Sequence, residues 1–159
     1  MKVVRLLTAA AGIASVLSVQ TPDRALGAVG DAEIILYRFP GVFDNGAVSG
    51  GVATAFHCTN FSGVPETIRI VIRDSAAGVV ANAAFNLNHL GTITPATHFV
   101  GLYAAVALNT GFLAQGTAAI AATSVSVVCT AMTLDAASGS PAGFALHGVR
   151  FNPIPGTQE

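Results

Sequence analysis

There is no tryptophan in this chain, and its single lysine, Lys2, stands near the N-terminus. Charged residues make up only 9% of the 159 positions, which leaves no cluster of Lys and Arg to hold nucleic acid or anionic lipid headgroups. Two cysteines that lie far apart give no C-x-x-C metal or redox motif. G-x-G-x-x-G, Walker and G-x-S-x-G patterns are also missing, so no nucleotide, cofactor or serine-hydrolase elbow is predicted. The low charge is not a mark of disorder, because 52% of residues are hydrophobic.

The N-terminus reads as a targeting segment. Lys2 and Arg5 precede an uncharged apolar run, Leu6 to Val19, and small residues cluster in Ala25 to Gly30. These are the three regions of a secretory signal peptide spanning residues 1–28, with cleavage after Gly27 or Ala28. The apolar run has 14 residues, short of the roughly 18 that span a bilayer. Removing residues 1–28 takes Lys2, Arg5, Arg24 and Asp23, which leaves four arginines, seven acidic residues and a formal charge of −3. The mature chain is expected in the periplasm, the cell envelope or the medium, with no membrane span. Residues 29–152 are long enough for one domain, and residues 153–159 form an extended tail.

Period-two alternation dominates that domain. In Thr67–Asp74, Ile68, Ile70 and Ile72 share one face while Arg69 and Arg73 share the other, which is a half-buried antiparallel strand. Ser75–Gly78 supplies a turn and Val79–Leu87 the partner strand. Further strands are expected at Glu33–Phe39, Val52–Asn60, Ala96–Tyr103, Thr117–Ala122, Val125–Leu134 and Phe144–Phe151. Pro and Gly fall in the connectors between them, including the stretch after Phe39. The best helical signal is about one turn within Ala104–Ala114. Seven or eight short strands at this spacing predict an all-β antiparallel sandwich.

Cys58 and Cys129 each lie mid-strand on an apolar face. Two cysteines in an exported chain make a disulfide the default reading, with two buried thiols as the alternative. His57 adjoins Cys58 in sequence but points to the opposite face of the strand, so the two do not form a thiolate–imidazole or chelating pair. The segments Phe56–Asn60 (FHCTN), Thr67–Asp74 (TIRIVIRD) and Val127–Met132 (VCTAM preceded by Val) together resemble secreted bacterial immunoglobulin-like sandwiches. The resemblance covers roughly Asp31 to Asn152. It implies that Cys58 and Cys129 link the two sheets, and it brings no catalytic motif.

The remaining residues offer few constellations for chemistry. His89, His98 and His147 are the candidate ligand or metal residues, yet they show no H-x-H or H-x-x-x-H spacing. A Ser-His-Asp set could draw on Asp74 or Asp135, with nothing in the spacing to favour it. Asp44-Asn45 invites a calcium reading, although one carboxylate is few for a cage of six or more oxygens. Asn60-Phe61-Ser62 matches a glycosylation sequon. Arg69 and Arg73 are expected to pair with Glu66, Asp74 or Glu159, or to form a small anionic contact surface. The reading that follows is an exported, non-enzymatic sandwich without a cofactor that acts through surface contacts with protein partners or with its own copies. The alternative is a small-ligand or metal-binding protein using the strand histidines.

Overall fold

The computed structural model describes residues 32–151, so the segments read as a signal peptide and an extended tail lie outside the described residues. The chain forms β1 (Ile34–Asp44), β2 (Val52–Asn60), β3 (Glu66–Asp74), β4 (Val79–Leu87), β5 (Thr92–Ile93), β6 (Pro95–Ala96), β7 (Val106–Ala107), β8 (Leu113–Ala122), β9 (Val127–Asp135), β10 (Gly143–Leu146) and β11 (Val149–Arg150). There are eleven strands where seven or eight were expected, because several short pairings punctuate the loops. Two sheets result. The first has the order β11-β1-β8-β3-β4, and the second runs β10-β9-β2-β6-β7, with β5 also paired to β2. Every pairing is antiparallel except β6 with β7.

The alternation of the sequence places the core between the sheets. Ile68, Ile70 and Ile72 from β3 and Ala118, Ile120 and Ala122 from β8 meet Phe56, Cys58, Val127 and Cys129 of the second sheet. Ile68, Ile70, Ile72 and Phe56 are fully buried. Each such side chain contributes about 1.5–3 kcal/mol by leaving water.

Several expectations are corrected by this packing. Cys58 and Cys129 are bonded, but not between sheets. They are direct register partners on β2 and β9, neighbouring strands of the second sheet, with Cα atoms 4.2 Å apart. Both side chains point inward from one sheet, and that close pairing brings the sulfurs together within it.

The strand expected at Ala96–Tyr103 is only Pro95–Ala96, followed by a 3₁₀ turn at Gly101–Tyr103. The helical turn therefore falls just before the Ala104–Ala114 segment, which instead contains β7. Residues 95–108 fold back over the outer face of the second sheet. There Ala96, Val100 and Ala105 pack on Ala53, Ala55, Leu134 and Ala136 as a second small core. Apolar content in that segment serves this cap rather than a strand.

The single strand expected at Phe144–Phe151 divides between the sheets, with β10 beside β9 and β11 beside β1. Pro40 and Gly41, read as connector, lie inside β1. The register against β8 shifts between Pro40 and Val42, and Gly41 takes φ +79°. A bulge tolerates a proline that lacks a donor and a glycine in the left-handed region.

Candidate functional site

His57 stands on the outer face of β2, as the alternation requires. Its Nδ1 lies 3.0 Å from the Thr94 hydroxyl, and Tyr103 meets the ring edge-on at 4.4 Å. Burial beneath the 95–108 cap lowers its pKa, since desolvation disfavours the charged ring. With Cys58 in the disulfide, no thiolate–imidazole pair exists here.

The three candidate ligand histidines are not brought together. His89 is exposed, and its Nδ1 accepts the Gly63 N–H at 3.0 Å, near the Asn60 end of β2. His98 bonds the Gly50 carbonyl near the other end of that strand, which is nine residues or about 30 Å long. His147 is exposed in the bend between β10 and β11. Among the described residues no group of three His, Cys, Asp or Glu side chains could hold a metal ion.

His98 belongs instead to a buried cluster. The last inward position of β1, after Val42, is Asp44, and it is fully buried. Its Oδ1 accepts the Gly46 N–H at 2.6 Å, while Oδ2 receives the Thr110 hydroxyl at 3.2 Å and faces His98 Nδ1 at 2.9 Å. The Gly50 carbonyl can only accept, so His98 Nε2 donates to it at 2.9 Å. Both ring nitrogens are engaged, which leaves no free lone pair for a base or a metal ligand. The cluster ties the 45–50 and 97–111 loops together at one pole of the sandwich. Above it is a cavity of about 200 Å³ bordered by Ala47, Val48, Asn109 and Gly111.

The other acidic candidates are also committed. Asp44 spends its oxygens on these donors rather than on calcium. Asp74 Oδ1 accepts the N–H groups of Ala76 and Gly78, and Asp135 Oδ1 accepts that of Ala137, so both carboxylates cap turns. Neither meets a serine and a histidine. Asn60 is buried, with Nδ2 donating to the Val64 and Leu87 carbonyls, and is closed to glycosylation.

Glu66 was expected to pair with arginine at the surface. It is fully buried instead, receives the Thr123 hydroxyl on Oε2, and has no partner for Oε1. Arg69 pairs with Glu33, Nε to Oε2 at 2.7 Å and NH2 to Oε1 at 3.1 Å. That hydrogen bonding and charge raise the guanidinium's pKa further.

Arg73 has no carboxylate within salt-bridge distance among the described residues, and its NH1 donates to the Ala77 carbonyl at 2.8 Å. It borders a cleft of about 460 Å³ with Ser75, Gln115 and Thr117. The walls are irregular where they meet: β1 bulges at Gly41, and the β3–β4 register shifts between Ile72 and Arg73.

The most extended unused feature is the free edge of the first sheet. β4 is its last strand, nine residues long, with the sequence VVANAAFNL and no charge or proline. Its extensive contacts are with β3 alone. Ala83 and Phe85 face inward opposite Ile70 and Ile68, yet they stay half-buried while those isoleucines are completely covered. The second sheet reaches this strand at its Leu87 end, where Asn60 Nδ2 donates to the Leu87 carbonyl. The sequence already carried the signal, as an alternating uncharged run after a turn, but not that the strand would end a sheet.

No family model matches the chain, and no curated protein does. Among solved structures, that of Thermotoga maritima 1070 is similar at a TM-score of 0.46 and 14% identity, covering 75% of this chain and 95% of that one.

Proposed function

We propose that this protein is an exported, immunoglobulin-like sandwich that works without catalysis, through surface contacts, as an envelope, adhesion-like or assembly module. The observation that carries this reading is β4: a long, uncharged edge strand whose inner face is left partly uncovered. Such an edge presents free amide and carbonyl groups to a further strand and lacks the charges that usually guard against pairing. The disulfide and the N-terminal signal pattern support export, since disulfides persist in oxidising compartments.

Native fractionation of the protein from its source tests the reading. Wild type is expected in a complex or with the envelope fraction, and Ala84→Lys, on the exposed face of β4, is expected to release it. Recovery of wild type wholly as a free monomer would sink the proposal.

A second reading, small-ligand binding, draws support from the Arg73 cleft rather than from the histidines. Its guanidinium, two hydroxyls and one amide offer donors to a small anion, while the Asp74 carboxylate that also borders the cleft has Oδ1 turned to the Ala76 and Gly78 N–H groups. Calorimetry with acetate and inorganic phosphate, comparing wild type with Arg73→Met, tests it. Equal heats from the two proteins would remove this reading.

A further inference from the structure

The geometry points to a second copy of this chain as the occupant of β4, paired antiparallel about a two-fold axis through Ala84. This rests on the surface-contact reading and names its partner. A strand that pairs with itself must meet its own residues, so any charge near its centre would face a like charge. β4 has none between Val79 and Leu87.

The register follows from which residues share each face. Opposite partners across an antiparallel pair lie on the same face. About Ala84, the inner face then sets the half-buried Phe85 of one copy against the small, half-buried Ala83 of the other. Each ring covers the gap beside its partner's alanine, as interdigitated packing of large and small residues requires. On the outer face Asn82 meets Asn86 of the other copy on both sides of Ala84.

Those amides are already oriented. Asn82 Oδ1 accepts from Arg69 NH1 at 3.1 Å, and Asn86 Oδ1 accepts the Thr67 hydroxyl at 3.1 Å. Each NH₂ group is thereby left to reach the other's oxygen, which retains a second lone pair. A two-fold axis through Ala83 would instead set both asparagines against apolar neighbours, Asn82 against Ala84 and Asn86 against Val80.

The strand is open to the approach: Asn82, Ala84 and Asn86 are exposed, and its extensive contacts are with β3 alone. The other edges offer less: β11 and β7 are two residues long and β10 is four.

Sedimentation of the purified mature protein, with and without substitutions in β4, decides the matter. The wild type is expected to be a dimer at micromolar concentration. Ala84→Lys, which sets two ammonium groups directly opposite one another, is expected to weaken association at least tenfold without lowering the melting temperature. Opposed residues in either class of antiparallel pair have Cα atoms within disulfide reach. Both native cysteines are bonded, so an added cysteine reports on itself. Ala84→Cys is therefore expected to form a covalent dimer on mild oxidation, and Ala83→Cys to stay monomeric on a non-reducing gel.

A wild type that stays monomeric at high concentration, a dimer indifferent to Ala84→Lys, or crosslinking through Ala83→Cys instead would each overturn the inference. If the purified chain is monomeric but its complex in the native extract still depends on Ala84, self-pairing fails while the surface-contact reading stands.

Discussion

His57 is a neutral ring by preference, held against Thr94 and Tyr103 under the cap, and that has a pH consequence with a definite sign. Its folded pKa is lowered by burial, while in the unfolded chain it titrates near the ordinary 6.5. Below that pH the unfolded chain binds more protons than the folded one, so stability is complete above about 6.5 and falls as pH drops toward the folded value. Urea unfolding at a series of pH values should show this decline beginning near 6.5, and His57→Gln should flatten it; an unchanged slope would assign it elsewhere. His98 makes a different case, because its ring sustains a buried carboxylate. His98→Ala should cost about 3 kcal/mol by leaving Asp44 without its main partner. A loss below about 1 kcal/mol in the same assay would mean that the clamp contributes little.

At the scale of elements, the bulge in β1 bends the strand where Gly41 passes the cleft. An added Cβ there would make an ordinary van der Waals contact, with Leu146 Cδ2 at 3.6 Å. The cost of alanine would therefore come from the backbone, at φ +79°. Gly41→Ala should lower stability by about 1–2 kcal/mol, measured by thermal melting, while leaving the strand content of the circular dichroism spectrum unchanged. A neutral result would mean that the bulge relaxes into an ordinary strand. β2, β3 and β4 lie where the alternation of Val52–Asn60, Thr67–Asp74 and Val79–Leu87 puts them, because each has a tight turn or a Pro/Gly break at its ends. The Ala96–Tyr103 segment does not, because Val100 and Ala105 satisfy their apolar character by packing on the outside of a sheet that an isolated reading takes to be wet.

For the molecule as a whole, the disulfide closes a loop between positions 71 residues apart, worth up to about 4 kcal/mol through the unfolded chain. It joins two strands already paired through nine consecutive register positions rather than joining the sheets. Reduction should therefore lower the melting temperature yet leave both sheets assembled, with near-native far-UV and near-UV circular dichroism at 25 °C. Loss of the near-UV signal on reduction would show that the bond, not the shared core, holds the layers together.

What the sequence determined is the local grammar. Alternating apolar residues set the faces of β2, β3, β4 and β9, and two cysteines, each mid-strand on an apolar face, pointed to the bond. The inward position of Asp44 was not legible, because the stretch after Phe39 reads as connector and the register shifts beyond Pro40 break simple alternation. Only the tertiary structure decided the rest: that Cys58 and Cys129 share a sheet, that Asp44 meets His98 and Gly50 from distant loops, that Glu66 is buried, and that β4 ends its sheet uncovered. The physical reason is that alternation specifies which side of a strand faces inward. Which strands become neighbours, and which edge is left without one, depends on contacts between residues far apart in the chain, and no local pattern encodes those.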